Sequence, residues 1–377
     1  MPTAPGKGLE GVVAAETAIS DIDGKEGRLL YVGYDIHDLA TNATFEEVTY
    51  LLHHLELPND TQLGEIREQI AGEREPNELA MRLLPHLAEN CAPMSMLRTA
   101  VSASSATDPD GWDISEEANY RKAIRLIAVL PTLVAYYDRL RNDKDLIAPD
   151  PNLSQAANLL WMLKGEKAGE DEARIFDVCL ILHADHTMNA STFAARVCAA
   201  TLSDIHSSVT AAIAALKGPL HGGANEQVMR MIKEIKDLGG TPKARDYITK
   251  KLESKEKVMG FGHRVYKTED PRATHLRRMA KELAEKTGDP SNYEISEEIE
   301  KTVMDVKGIY PNVDFYAASV YGYLEIPTDL FTPVFACSRV AGWTAHVREQ
   351  YADNRLIRPD HEYVGPDPRS WLPLSER

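Results

Sequence analysis

Apolar residues recur at helical spacing along most of the chain, in segments bounded by capping residues and by glycine or proline. Thr44-Phe-Glu-Glu47 forms a capping box ahead of an apolar run over 48–57. Ser154 can cap a helix over 155–164, which Gly165 would end. Comparable patterns predict helices over 172–184, over 192–202 with Ser191 as cap, over 204–217, from Asn225, from Thr241, from Asp270-Pro271 to about Gly288, and over 332–350. The chain is therefore predicted to be mainly α.

Strand patterns are sparse and lie near the two ends of the chain. Residues 28–34 alternate weakly between apolar and polar, and 19–22 is a candidate partner strand. A short strand is also predicted over 355–358. No composition shift or low-complexity linker marks a domain boundary, so these patterns alone locate none.

Composition narrows the class of protein. The 377 residues are 43% hydrophobic, enough for a sizeable core, and the formal net charge is -16. That charge argues against nucleic-acid partners and against an anionic membrane surface. An acidic protein that binds an acidic metabolite must therefore concentrate its arginines locally.

The cysteines and the N-terminal residues bear on location. Cys91, Cys179, Cys198 and Cys337 are far apart and form no CxxC pair, so no disulfide framework or zinc ribbon is indicated. Cys179, Cys198 and Cys337 lie in apolar, helical-looking runs, which favours buried, reduced thiols and a cytoplasmic protein. The first residues have neither a basic run nor an apolar core, so no signal peptide is predicted. No apolar stretch reaches the length of a membrane span.

The most informative segment runs from Gly260 to Arg272 and reads Gly-Phe-Gly-His-Arg-Val-Tyr-Lys-Thr-Glu-Asp-Pro-Arg. It places the His263 imidazole directly after two flexible glycines, Gly260 and Gly262, and follows it with Arg264, Lys267 and Arg272. This pattern suits recognition of an anionic ligand. A loop histidine followed by a solvated charged face is the alternative.

Two further segments carry candidate chemistry. His221 lies in Gly-Pro-Leu-His-Gly-Gly-Ala, after a predicted helix end, and is either a ligand-facing imidazole or an incidental turn residue. Asp314 lies in Pro-Asn-Val-Asp-Phe-Tyr, and is either a helix cap or a carboxylate in partly apolar surroundings. Such surroundings would raise its pKa and suit a general base.

His183-Ala-Asp-His186 resembles a metal-binding pair, because residues 183 and 186 would share a face of a helix. A metal-dependent hydrolase could use these histidines with Asp185 and His263. The competing interpretation is one core histidine and one ligand-binding histidine, with no metal.

Taken together and in order, the segments around His221, His263 and Asp314 resemble the citrate synthase family. The resemblance extends from about residue 8 to about 365, and includes His183-Ala-Asp-His186, Asn-Ala-Ser-Thr-Phe at 189–193 and Phe-Ala-Cys-Ser-Arg-Val-Ala-Gly-Trp at 335–343. The family also includes 2-methylcitrate synthases, which these motifs do not separate.

The resemblance implies an almost all-α, two-domain homodimer of the short type. A large domain would comprise residues 1–221 and 319–377, and an inserted small domain residues 222–318. Domain closure would assemble the site and exclude water.

The resemblance also implies roles for individual residues in the condensation of acetyl-CoA with oxaloacetate. Asp314 would be the base, His221 would stabilise the enolate and His263 would polarise the ketone. The expected oxaloacetate ligands are His186, Arg272, Arg339 and, reaching the other subunit, Arg358. The expected CoA contacts are Lys267, Arg264, Val258, Gly260 and Gly262. Coenzyme A enters as a substrate, and no cofactor or metal is expected.

Three positions depart from the family pattern. Ala317-Ala318 stand where serine followed by glycine or alanine is common, Val32 where arginine is frequent, and Ala92 where histidine is frequent. They leave open a preference for propionyl-CoA, and a non-catalytic CoA-binding regulator as a further alternative.

Overall fold

The computed structural model describes residues 7–9 and 11–377, and its described part is predominantly helical, as predicted. The helices are α1 (Ile36–Asn42), α2 (Phe45–His54), α3 (Asp60–Gly72), α4 (Glu78–Asn90), α5 (Pro93–Ser104), α6 (Glu116–Arg141), α7 (Gln155–Lys164), α8 (Glu170–His183), α9 (Ala190–Ala199), α10 (Ile205–Leu216), α11 (Ala224–Asp237), α12 (Thr241–Glu253), α13 (Pro271–Thr287), α14 (Ser291–Lys307), α15 (Val313–Tyr323) and α16 (Phe331–Ala352). Helix α16 is buried over most of its length and packs against α6, α8, α9 and α10. It is the centre of the larger helical group.

A small antiparallel sheet precedes the first helix. It has the order β1 (Ser20–Asp23), β2 (Arg28–Tyr31) and β3 (Tyr34–Asp35), with Ser20 opposite Tyr31 and Leu30 opposite Asp35. Leu29 and Tyr31 are buried, which attaches β2 to the core. The predicted pairing of 19–22 with 28–34 is confirmed.

Local capping signals located several helices well. Thr44 and Glu47 form the predicted capping box of α2. Ser154 caps α7, and Gly165 ends it in the left-handed region. Asp270 caps α13, which ends before Gly288.

Three local predictions were wrong. Helix α9 is capped by Asn189 rather than Ser191, because the Asn189 carboxamide oxygen accepts from two backbone N–H groups. Helix α11 begins at Ala224, so Asn225 lies inside it. Residues 355–358 form no strand and belong to an exposed C-terminal stretch without helix or strand.

Helices α11 to α15 form a second packed group. Helix α13 packs on α15, α12 on α14, and α11 on α15. The group contacts the rest of the chain through α1, α8 and α16. It spans most of residues 222–318, and the domain division at these residues stays a prediction.

The cysteines are unpaired, and only Cys179 and Cys337 are buried. Cys198 is half-exposed, so its predicted burial was wrong; it lies near the C-terminal end of α9, on a helix face that the rest of the chain only partly covers. No helix of the described residues is long and apolar enough to cross a membrane.

Candidate active site

His263 lies in the loop between α12 and α13, which pairs with the residues before α15. The N–H of Gly262 donates to the Tyr310 carbonyl at 2.9 Å, and the N–H of Asn312 donates to the Gly260 carbonyl at 2.9 Å. Gly260 is required here, since a β-carbon would lie 2.9 Å from Phe315. The histidine loop and the start of α15 are therefore one connected structure.

Hydrogen bonds select the tautomer of His263. Its Nδ1 accepts from the backbone N–H groups of Val265 and Tyr266, at 3.1 and 3.2 Å. Burial and the charge of Arg272 lower the pKa of His263 to about 4. The ring is thus neutral near pH 7, with its proton on Nε2, free to donate to a ligand.

His221 lies between α10 and α11 and faces the start of α9. Its Nε2 accepts from the Ser191 N–H at 3.3 Å and lies 2.8 Å from the Ser191 hydroxyl. A backbone N–H can only donate, so the neutral ring carries its proton on Nδ1. Burial and then the charge of Arg339 lower the pKa of His221 to about 4. This imidazole is a second neutral donor.

Asp314 occupies the first turn of α15 and is not the cap of that helix. Asn312 caps the helix, accepting the Asp314 N–H at 3.0 Å. The Oδ1 atom of Asp314 is buried and has no hydrogen-bond partner among the described residues. Burial raises the pKa of Asp314 to about 7, although Arg272 acts in the opposite direction. The site therefore holds a carboxylate that binds a proton readily.

Arg272 is buried in the first turn of α13 and paired with Asp270. Its Nε and Nη2 donate to the two Asp270 carboxylate oxygens at 2.9 and 2.7 Å. Asp270 also accepts the Val313 N–H at 3.1 Å. One carboxylate thus fixes both the arginine and the start of α15, leaving Nη1 of Arg272 for a ligand.

Arg339 is a buried cation without a carboxylate partner. Its Nε donates to the His183 carbonyl at 2.6 Å, and its guanidinium lies 4.6 Å from the centroid of the Phe335 ring. It makes no ion pair within the described residues, since the nearby Asp185 pairs with His346, and burial lowers its pKa to about 10. A buried, unneutralised charge of this kind favours an anionic ligand.

His186 lies beside His263 and closes this part of the site. The two ring centroids are 5.1 Å apart, and His186 Nε2 lies 3.3 Å from the Tyr266 hydroxyl. Burial and then the charges around it hold the pKa of His186 well below its usual value. Those charged or polar neighbours are Arg272, His263, Arg339 and His221. Six predicted side chains, from five separate segments of the chain, therefore converge.

The His183-Ala-Asp-His186 segment is not a metal-binding pair. His183 is the last residue of α8, and its Nδ1 faces the Cys179 carbonyl at 2.7 Å. Asp185 accepts hydrogen bonds from the Ser20 hydroxyl and the Thr187 N–H. Across the part of the chain that the structure describes, no group of three His, Cys, Asp or Glu side chains could hold a metal ion.

The remaining predicted residues lie on the surface or serve packing. Arg358 is in the C-terminal stretch with its side chain 71% exposed, so this chain does not bring it to the site. Arg264 and Lys267 are exposed beside His263. Val258 is buried, and Gly262 has a positive φ of 77°.

Sequence reasoning missed the residues that hold the chemistry in place. Ser191 contacts His221 instead of capping a helix, and Asp270 holds Arg272 in addition to its predicted cap. Asn312 joins the His263 loop through its Nδ2, which donates to the Gly262 carbonyl at 2.9 Å. Ser191 and Asn312 both lie inside motifs of the family resemblance, and that membership is the one signal that could have drawn attention to them.

The arrangement suits carbon acid chemistry on an anionic substrate. A carboxylate can remove a proton from carbon only when the developing oxyanion is stabilised at the same time. Two neutral imidazoles can donate to such oxygens, and two buried arginines can bind carboxylates.

The chain is similar to known proteins over nearly its whole length. A sequence profile described as "Citrate synthase, C-terminal domain" matches residues 8–360. The chain is 53% identical to citrate synthase 2 of Bacillus subtilis (strain 168) over 372 residues, covering 98% of this chain and 99% of the relative. It is 43% identical to a 2-methylcitrate synthase of Shewanella oneidensis over 373 residues, covering 99% and 98%.

Two solved structures are similar over nearly the whole chain. The citrate synthase of Pyrobaculum aerophilum has a TM-score of 0.91 at 42% identity, covering 98% of this chain and 95% of that one. A Thermoplasma acidophilum citrate synthase, solved as a ternary complex with carboxymethyl coenzyme A and oxaloacetate, has a TM-score of 0.92 at 35% identity, covering 98% and 99%.

Proposed function

The chain belongs to the citrate synthase family, and from this premise we propose that it condenses acetyl-CoA with oxaloacetate and water to give citrate and CoA. The observation that carries the proposal is the unpartnered buried carboxylate of Asp314, close enough to Arg272 and Arg339 for both charges to act on it. The neutral imidazoles of His221 and His263 complete the proposed catalytic groups.

In the first step Asp314 removes a proton from the methyl group of acetyl-CoA. The developing enolate oxygen accepts from Nδ1–H of His221. Positioned proton-transfer groups contribute about 10²–10⁴-fold each to such reactions. The raised pKa of Asp314 supports its assignment, since it brings the base closer to the strength that a carbon acid demands.

In the second step the enol carbon attacks the ketone carbon of oxaloacetate. Nε2–H of His263 polarises the ketone oxygen and then passes its proton to the alkoxide. Water finally cleaves the citryl-CoA thioester: its hydroxyl bonds to the acyl carbon and its proton returns to His263. The C–S bond breaks, and the proton held by Asp314 goes to sulfur, so that CoA leaves as the thiol. The two backbone N–H groups on Nδ1 support this assignment, because they keep the ring proton on the atom that donates.

Arg272, Arg339 and His186 are the proposed ligands of the oxaloacetate carboxylates. Guanidinium groups bind carboxylates with two parallel hydrogen bonds, and the unneutralised charge of Arg339 would be stabilised by the dianion. This is the local concentration of arginines that an acidic protein needs for an acidic substrate.

A homodimer with Arg358 completing the other subunit's site is the proposed assembly. Supporting observations are the exposed apolar residues of the C-terminal stretch, Tyr363, Val364, Trp371 and Leu374. Ser207, Thr210, Ala211 and Ala214 also leave one face of α10 incompletely covered. Exposed apolar surface of this kind is typical of contacts with another chain.

The CoA contacts are proposed at the exposed side of the His263 loop. Arg264 and Lys267 would face the phosphates, and the backbone over 258–262 would face the adenine. Closure of the proposed small domain, 222–318, over the large one would bring His263 and Asp314 to His221 and exclude water. Unpaired cysteines support a cytoplasmic location.

A paired thiol-release assay tests the proposed substrate. With oxaloacetate present, we expect a higher kcat/KM for acetyl-CoA than for propionyl-CoA, and activity that survives EDTA. The reverse order would instead assign a 2-methylcitrate synthase. Two observations favour that alternative: the identity to the Shewanella 2-methylcitrate synthase, and the fully buried Ala317 and Ala318 at positions that depart from the family pattern. Thiol release with neither substrate would contradict both assignments.

A further inference from the structure

The turn between β1 and β2 lies directly against the loop that carries His263. The N–H of Lys267 donates to the Gly24 carbonyl at 2.8 Å. A β-carbon on Gly24 would lie 2.3 Å from the carbonyl oxygen of Val265, and one on Gly27 would lie 2.7 Å from the Thr268 methyl carbon. The two backbones therefore touch with no space for a side chain between them.

The contacted peptide groups are those that hold His263. Val265 and Tyr266 donate their N–H groups to Nδ1 of His263, and the next N–H, from Lys267, is bound by Gly24. The carbonyl of Val265 touches Gly24 from the other direction. A displacement of this turn would move the donors that fix the imidazole.

The turn has an internal structure that suits a supporting role. The Asp23 side chain accepts from the N–H groups of Lys25 and Glu26 at 2.9 and 3.0 Å, which shapes the turn locally. Leu29 and Tyr31, on the adjoining strand, are fully buried and attach the hairpin to the large helical group. The position of the turn is thus fixed by the large helical group and not only by its contact with the His263 loop.

We propose that the β1–β2 turn, residues 24–27, is a positioning element for His263, with Gly24 as its central residue. The inference rests on the proposed function. Residues 24–27 belong to the proposed large domain and 263–269 to the small one, so the contact crosses their boundary. It holds the ketone-polarising imidazole in its productive tautomer and orientation when the domains are closed.

The direct test replaces Gly24 by alanine and uses Gly64→Ala in α3 as the control. A β-carbon on Gly64 meets nothing within 4 Å. A misplacement of about 1 Å in a reacting group can cost about 100-fold in rate, so we expect kcat of Gly24→Ala to fall about 10- to 100-fold relative to the control.

A second readout does not depend on turnover. Hydrogen exchange at the Lys267 amide should be slow in the wild type and fast in Gly24→Ala, with the amides of β1 and β2 unchanged. The ¹⁵N shifts of His263 should report a mixture of tautomers in Gly24→Ala. If the turn only stabilised the fold, Gly24→Ala would lower the melting temperature and would change neither the Lys267 exchange nor the His263 shifts.

If Gly24→Ala does not fold, the pair Gly27→Ala and Gly33→Ala tests whether the turn positions His263. Gly27 and Gly33 both have positive φ, 66° and 83°, but a β-carbon meets nothing within 4 Å at Gly33. Gly27→Ala should lose kcat and gain Lys267 exchange relative to Gly33→Ala. Equal kcat and equal exchange within either folded pair would overturn the proposal, whereas an inactive wild type would instead contradict the proposed function.

Discussion

Asp314 combines burial with an empty hydrogen-bonding position at Oδ1. Its folded-state pKa of about 7 lies above the ordinary value of 3.8. The pKa values of His221 and His263, both about 4, lie well below it. Both imidazoles are therefore neutral wherever Asp314 titrates, and we expect Asp314 alone to set the acidic limb of the activity profile.

We predict that kcat/KM for acetyl-CoA rises with pH up to about 7 and then levels off. The base must be ionised, so each pH unit below its pKa should reduce the rate about tenfold. Steady-state assays at saturating oxaloacetate between pH 5 and 9 check this. An acidic limb of the kcat/KM profile with an apparent pKa near 4 would show that the base has the pKa of an ordinary carboxylate. That result would contradict a buried Asp314 as the base.

Asp177, on α8, is a second buried carboxyl and lies outside the site. Its oxygens accept from the Phe45 N–H at 3.1 Å and from Arg174 at 2.9 Å. Burial and then the charge of Glu46 raise its pKa to about 7. Because the folded state binds this proton more tightly than the unfolded state, stability contributed by Asp177 is lost as pH rises from about 4 to 7.

Asp177→Asn should therefore lower the free energy of unfolding more at pH 5 than at pH 8. The asparagine oxygen can still accept from Phe45, while the variant removes the titration. We expect the difference in unfolding free energy between wild type and variant to shrink by about 1–3 kcal/mol between the two pH values. Urea denaturation of both proteins measures it, and a difference that grows with pH would contradict the assignment.

At the scale of elements, Asn312 joins the His263 loop to the helix of Asp314. Its Oδ1 caps α15, and its Nδ2 donates to the Gly262 carbonyl. Asn312→Asp keeps the cap and loses the donor, placing a carboxylate oxygen against a carbonyl oxygen. We predict about a tenfold lower kcat, since both catalytic segments lose their mutual orientation.

Asn59→Asp is the matched control for that variant. Asn59 caps the exposed helix α3 with its Oδ1, and its Nδ2 makes no hydrogen bond to the described residues. This substitution should leave kcat unchanged. Equal kcat for the two variants would show that the bond to Gly262 does not orient the site.

Element boundaries could be predicted where the cap is local in sequence. The capping box at Thr44, the Ser154 cap and the Asp270-Pro271 start each need only neighbouring residues, and all three were confirmed. Ser191 failed because its hydroxyl faces His221, 30 residues away along the chain. The apolar residues over 355–358 suggested a strand, but a strand needs a pairing partner and none of the described residues pairs with this stretch.

At the scale of the whole molecule, the motifs predicted which residues would converge but not what holds them. Asp270 accepts from Val313 and Asn312 donates to Gly262, partners that only tertiary structure brings close, and the β1–β2 turn is about 240 residues from the loop it contacts. No local pattern encodes such contacts. The proposed contribution of Arg358 depends on contact with another subunit, which no pattern within one chain encodes.

Subunit mixing tests the proposed assembly. We predict that co-expressing Asp314→Asn with Arg358→Ala restores activity, because one site of each mixed dimer then has an intact Asp314 and receives an intact Arg358 from the other chain. Random pairing would give about a quarter of the wild-type activity. Each variant alone should be strongly impaired, and no gain on mixing would place Arg358 in its own chain's site or outside both.

The central claim is that this chain makes citrate with Asp314 as the base. Incubation of ¹³C-methyl acetyl-CoA with oxaloacetate, followed by NMR, measures the product directly in wild type, in Asp314→Asn and in Asp237→Asn, an exposed carboxylate at the end of α11. We predict labelled citrate from wild type and Asp237→Asn at equal rates, and a rate at least about 100-fold lower from Asp314→Asn. Citrate formed by Asp314→Asn at the wild-type rate, or no citrate from the wild type, would contradict the account.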